Sequence, residues 1–154
     1  MKEGMRLLEF SNEFAEKVKK FLVEVCIDEF GFEEWREELE TIDREKYKEN
    51  GGNFWIALDN KKEVIGTIGL ENISNGVGML KTMYVHKEYR GYKVAQKLME
   101  DLTNFAVNNN FKKIQLGTYK KLERAVGFYK KNDFYLTLVS GYANINSDRD
   151  RPDK

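Results

Sequence analysis

Apolar positions along the chain switch between a period of two and a period near 3.6, and each switch marks a new element. Met5–Phe10 is a short apolar-rich run and predicts a first strand. Ser11 or Asn12 can cap a helix behind it. Phe14, Val18, Phe21, Leu22 and Val25 then recur at helical spacing, which predicts one helix to about Glu29, broken at Gly31. A second, short helix from about Glu33 carries Trp35, Leu39 and Ile42 on one face. Its other face is acidic, with Glu33, Glu34, Glu37, Glu38 and Glu40. Asn50-Gly51-Gly52 then punctuates the chain.

From there the period falls to two. Phe54–Leu58 and Val64–Asn72 read as strands joined by the turn Asp59-Asn60-Lys61-Lys62. Asn75-Gly76 signals a second hairpin into the strand Gly78–Val85. Residues 53–86 therefore predict a three-stranded antiparallel meander. Gly66 and Gly69 within it point to close backbone approach or a bulge. Helical spacing returns over Tyr92–Asn108 through Ala95, Leu98, Met99, Leu102, Phe105 and Ala106. A strand at Lys113–Thr118, a helix at Leu122–Lys131 with Ala125, Phe128 and Tyr129, and a strand at Phe134–Val139 complete the pattern. The order β-α-α-β-β-β-α-β-α-β predicts an α/β domain with a mixed, mostly antiparallel central sheet and flanking helices. Its later strands have room for helical crossovers and can pair in parallel.

Composition narrows this further. The 154 residues make one domain, expected over 1–145, with a polar, frayed tail over 146–154 that holds the lone Pro152. The single cysteine, Cys26, excludes an internal disulfide, and with one histidine, His86, no metal site is expected. Apolar runs fall far short of the ~20 residues of a membrane helix, and MKEGMRLLEF lacks an apolar signal region. A cytoplasmic location with no membrane contact is the expectation. Twenty-six basic and twenty-six acidic residues cancel, but not evenly along the chain. Residues 1–80 carry a net of −7, residues 81–131 a net of +8, and residues 132–154 a net of −1. A polyanion site in the +8 block fits that asymmetry, with the acidic half turned towards something cationic. Lys112, Lys113, Lys120, Lys121, Lys130 and Lys131 sit at element ends without a nucleic-acid motif, so no nucleic acid is expected.

The chemistry concentrates in MLKTMYVHKEYRGYKVAQKLMEDL, Met79 to Leu102. A strand enters a loop, and the loop opens a helix at Arg90-Gly91-Tyr92-Lys93-Val94-Ala95. A helix N-terminus presents unpaired N–H groups and the positive end of the dipole, which suits phosphate. Gly91 lets a ligand approach the backbone, Ala95 keeps the first turn uncrowded, and Arg90 and Lys93 add charge.

This stretch resembles the acetyl-coenzyme A motif of the GCN5-related N-acetyltransferase (GNAT) family, whose signature is Arg or Gln, two residues, Gly, one residue, then Gly or Ala. Gln115 to Phe134, QLGTYKKLERAVGFYKKNDF, resembles the family's next strand, helix with Ala-x-x-x-Tyr, and following strand. GTIGL, Gly66 to Leu70, fits its third strand. The middle glycine of the signature is Lys93 here, and the family's asparagine before the helix alanine is Leu122. The family's final strand is short or missing, with Tyr142–Ile145 as a short substitute or a neighbouring chain covering the gap; a homodimer is therefore an expectation.

The resemblance implies direct acetyl transfer from acetyl-CoA, as co-substrate, to a primary amine of a small molecule or peptide within a ternary complex. A non-catalytic acyl-CoA-binding module is the alternative. Backbone N–H groups of Gly91, Tyr92, Lys93, Val94 and Ala95, with Arg90, would hold the pyrophosphate. Met83, Tyr84 and Val85 would pair with the pantetheine arm, and the Met83 N–H would polarise the thioester. Tyr129 takes the position of the general acid. The family's position for a base falls at Met79 or Lys81, neither of them suited, so Glu71 on the preceding strand is the candidate, with His86 or ordered water as substitutes.

Overall fold

The computed structural model describes residues 4–41, 43–74, 76–119, 123–132, 134–139 and 142–148. Ile42, Asn75, Leu122 and the segment 149–154 with Pro152, on which expectations were placed, lie outside them. A seven-stranded sheet runs in the order β1-β2-β3-β4-β5-β7-β6. Its strands are β1 Arg6–Glu9, β2 Asn53–Leu58, β3 Val64–Ser74, β4 Val77–Val85, β5 Lys113–Tyr119, β6 Tyr135–Val139 and β7 Tyr142–Asp148. The helices are α1 Ala15–Leu22, α2 Arg36–Thr41, α3 Lys46–Glu49, α4 Val94–Asn108 and α5 Glu123–Lys131. Among the described residues no helix is long and apolar enough to cross a membrane.

β2, β3 and β4 form the expected antiparallel meander, and β4 pairs in parallel with β5. Asp59 builds the first hairpin turn: its carboxylate accepts from the N–H of Lys61 at 2.8 Å and of Glu63 at 2.9 Å. β2 is buried along its whole length because both faces are covered. Phe54, Ile56 and Leu58 point into one core with α1 and its extension, whereas Trp55 and Ala57 point into the other with α4. The two glycines of GTIGL serve these two cores. A Cβ on Gly66 would meet Leu98 Cδ1 and Val94 Cγ1, both at 3.2 Å, so Gly66 lets α4 settle onto the sheet. A Cβ on Gly69 would meet Phe54 at 2.9 Å and Tyr47 at 3.3 Å on the opposite face.

Three expectations change. The first helix is not uniform: after α1 the chain continues as a π-helical segment, Val23–Glu29, in which the Phe30 N–H donates to the Val25 carbonyl at 3.1 Å. A third short helix, α3, precedes Asn50-Gly51-Gly52. The final strand is neither missing nor short: β7 runs to Asp148, taking in the first three residues of the expected tail. It pairs along β5 from Tyr119 to Lys113 and along β6 from Val139 to Tyr135. The gap that suggested a neighbouring chain is filled by this chain itself.

Candidate active site

The site begins where the sheet comes apart. β4 and β5 pair only through Val77–Lys113, Gly78–Ile114 and Met79–Gln115. Beyond that point β5 turns to β7, while β4 keeps its ladder with β3 as far as Val85. Among the described residues, the flank of Leu80–Val85 that faces away from β3 therefore has no strand beside it, and its backbone groups face the opening. A bulge marks the same stretch. Three residues of β3, Thr67 to Gly69, lie against four of β4, Tyr84 to Lys81, and Thr82 takes φ 56°. Thr67, fully buried, pins the bulge by donating its hydroxyl to the Thr82 carbonyl at 2.6 Å.

The loop after β4 leads into α4. His86 ends the strand and caps a 3-10 turn, its Nδ1 accepting from the Glu88 N–H at 3.2 Å. That bond engages Nδ1 of the imidazole. Gly91 and Lys93 both take left-handed backbone, with φ 89° and 64°. Lys93 thus adopts at the signature's glycine position the conformation that glycine accepts most easily. α4 begins at Val94 with no side chain capping it. Its first intrahelical bond comes from Lys97 to the Lys93 carbonyl at 3.1 Å, so the N–H groups of Lys93, Val94, Ala95 and Gln96 lack backbone acceptors among the described residues. Of the predicted Gly91–Ala95 donors, the Tyr92 N–H is used in a turn to Tyr89 at 3.4 Å, and Gln96 adds a donor beyond Ala95. A Cβ at Gly91 would touch nothing within 4 Å, so the loop face is open.

Side chains of the predicted set divide. Val94 and Val85 are buried in the α4-side core, with Met83 and Ala95 packed against it. Tyr84 turns the other way, into the core of α1 and its extension. Val94 and Val85 can offer only backbone to a ligand, Met83, Tyr84 and Ala95 are half-buried, and Tyr92 is exposed. Arg90 is already engaged, with the carboxylate of Glu29, at 2.6 and 2.9 Å.

Tyr129 lies in the α4-side core with Met83, Val85 and Val94. Its ring meets Phe128 and Phe134 edge-on, with centroids 5.8 and 5.7 Å apart. Its hydroxyl has no hydrogen-bond partner among the described residues, and burial pushes its pKa well above the usual phenol range. Glu71 stands in register opposite Met79, at the mouth of the splay. Lys81 Nζ donates to its carboxylate at 3.0 Å. Burial works against the Lys81 charge, but the bond and charge of Glu71 outweigh it and the Lys81 pKa is raised, so this lysine stays an ammonium. Tyr129 and Glu71 therefore flank β4 from different sides.

Residues that sequence reasoning passed over also gather here. Tyr47, on α3, is buried with its pKa raised by burial, and its hydroxyl reaches Thr82 of the bulge. Cys26 is buried beside Tyr84, and burial pushes its thiol up to about 11. Arg44 is buried above the Phe54 ring and donates to the Leu39 carbonyl at 3.3 Å. The acidic face of α2 is partly neutralised within its own turns, since Arg36 pairs with both Glu33 and Glu40.

The model of the acetyltransferase (GNAT) family matches residues 19–134. The chain belongs to the GNAT acetyltransferase family. A solved GNAT-family acetyltransferase from Staphylococcus aureus Mu50 is 26% identical, with a TM-score of 0.82 over 94% of this chain and 98% of that one. The PaiA N-acetyltransferase of Thermoplasma acidophilum, solved in complex with coenzyme A, shares the GNAT fold at 18% identity, with a TM-score of 0.79 over 94% and 98% of the two chains. The N-acetylaspartate synthetase of Xenopus tropicalis is 31% identical over 100 residues, 60% of this chain and 36% of that protein. An N-acetyltransferase of Dictyostelium discoideum is 35% identical over 68 residues, 44% of this chain and 31% of that protein. The chain spans about a third of the length of these two relatives.

Proposed function

We propose that this GNAT chain, as a single domain, transfers an acetyl group from acetyl-CoA directly to a primary amine of a small molecule or peptide, within a ternary complex. The observation that carries the reading is the opening between β4 and β5, with the uncapped start of α4 beside it. A coenzyme A diphosphate fits this arrangement. The N–H donors of Lys93, Val94, Ala95 and Gln96 would bind it at the positive end of α4, and the Lys93 side chain adds a cation. The flank of Met83–Val85 beside the opening offers backbone groups to the amide-bearing pantetheine arm, with the Val85 carbonyl already accepting from Arg90 Nε. The coenzyme supplies an acetyl thioester.

The chain's own residues do the rest. The Met83 N–H, beside the bulge, donates to the thioester carbonyl oxygen as negative charge develops on it. Tyr129 holds a proton that its raised pKa keeps in place at neutral pH, and delivers it to the departing sulfur. Glu71 collects the proton of the incoming ammonium through water. Its register partner Met79 lies four residues before Met83, about 13 Å along the strand, which is too far for direct contact. Lys81 holds the carboxylate in place. The acceptor then lies on the Glu71 side of β4. The exposed acidic face of α2, already closed in part on Arg36, does not select a cationic acceptor by itself.

The test is release of free thiol from acetyl-CoA against a panel of amines, with the acetylated product identified by mass spectrometry. Amine-dependent release supports an enzyme. Tight coenzyme binding with no release for any amine would instead mark the non-catalytic module.

A further inference from the structure

Arg90 opens the loop signature, and its charge suits the diphosphate, yet its guanidinium is committed elsewhere. Nη1 and Nη2 donate to the two carboxylate oxygens of Glu29 at 2.6 and 2.9 Å, and Nε donates to the Val85 carbonyl at 3.1 Å. The same guanidinium lies over the Phe30 ring, 5.6 Å from its centroid. Both partners of the ion pair are only about a quarter exposed, at 26% and 25%. This is a three-point clamp on one arginine, far more directional than an ordinary surface pair.

The position of Glu29 gives the clamp its meaning. It is the last residue of the π-helical segment Val23–Glu29, whose Val25, Cys26 and Ile27 are buried in the core of α1 and its extension. Phe30 and Gly31 end that segment through bonds to the Val25 and Ile27 carbonyls at 3.1 and 2.9 Å. Glu29 is therefore fixed from behind. The loop it holds takes left-handed backbone at Gly91 and Lys93, and a Cβ on Gly91 would meet nothing within 4 Å.

We infer that Glu29 is a positioning residue for the coenzyme, acting through Arg90 to preset the Gly91–Ala95 loop against the π-helical segment Val23–Glu29. The inference rests on the coenzyme reading above. Arg90 then contributes geometry more than charge, and the diphosphate meets a loop whose ordering cost has already been met by folding.

The test is calorimetric titration of the full chain with coenzyme A at fixed ionic strength. Glu29→Ala and Arg90→Ala should each raise Kd about tenfold, and the double variant should be no weaker than the weaker single one, as for two residues acting through one contact. Arg90→Lys keeps the charge but loses the fork, and should bind like Arg90→Ala. In turnover, KM for acetyl-CoA should rise while kcat and the acceptor KM stay within about twofold. If Glu29→Ala fails to fold, Glu29→Gln takes its place with the same expectation. Unchanged or tighter binding by the Glu29 variants, or wild-type affinity for Arg90→Lys, would overturn the inference. Wild type failing to bind coenzyme A would overturn the functional reading along with it.

Discussion

Replacing Tyr129 with Phe removes one oxygen atom and leaves the packing in place. The ring keeps its edge-on contacts with Phe128 and Phe134, and the residue is only 7% exposed. The deleted hydroxyl is buried without a hydrogen-bond partner among the described residues, a condition that costs about 1–3 kcal/mol in general. Tyr129→Phe should therefore be at least as stable as wild type, with a gain of about 1 kcal/mol and a Tm higher by ~2–4 °C. Turnover should move the other way. Loss of a general acid lowers kcat by about 10²–10⁴, while KM for acetyl-CoA should change little because the hydroxyl is not among the binding groups. Thermal unfolding measures the first quantity and thiol release the second. Cys26 does not disturb a thiol-detecting assay, since burial and a pKa pushed to about 11 keep it unreactive in the native state. Because burial raises the Tyr129 pKa, the acid form persists across neutral and mildly alkaline pH. The pH–rate profile should show no alkaline limb from this group below about pH 10. Turnover within about threefold of wild type would refute the catalytic role, and a large fall in Tm would refute the reading of an unpartnered hydroxyl.

Lys93→Gly should stabilise the fold by about 0.5–1 kcal/mol in urea unfolding, because glycine takes φ 64° without strain, and should weaken coenzyme binding most at low salt by removing a cation. Gly66→Val should cost about 1–3 kcal/mol, since a Cβ there already meets Leu98 and Val94 at 3.2 Å; by lifting α4 it should also raise KM for acetyl-CoA. The Arg90 hydrogen bond, opposed by burial, holds the Glu29 pKa below the usual carboxylate value, so the stabilisation from this pair is fully present above about pH 4.3 and is lost as pH falls through the lowered pKa. Thermal unfolding from pH 7 to 3 should show a smaller acid loss for Glu29→Gln than for wild type.

Elements with strong periodicity were legible in the sequence. The meander, α4 and the parallel β4–β5 pair follow from alternation, turn residues and crossover length, and the family signature marks the loop proposed to hold the coenzyme. What escaped depends on contacts distant in sequence. Nothing local in Arg90 reveals that Glu29, sixty-one residues earlier, takes its guanidinium. The π-helical turn leaves the apolar spacing of the first helix almost unchanged, so periodicity reads straight through it. α3 has four residues, too few to establish a period. β7 alternates Ala143 and Ile145 with asparagines, so Tyr142–Ile145 reads as a short substitute at most and the residues after it as tail until β5 and β6 supply its ladders. The lysine at the glycine position of the signature was visible, but its left-handed backbone follows only from the loop geometry.

The most direct measurement is a crystal structure of the chain with coenzyme A. The expected result is a diphosphate on the N–H groups of Lys93 to Gln96 and a pantetheine arm along Met83–Val85, with its sulfur pointing towards Tyr129. Coenzyme bound elsewhere, or β4 and β5 closed on each other with no ligand between them, would contradict the proposed site.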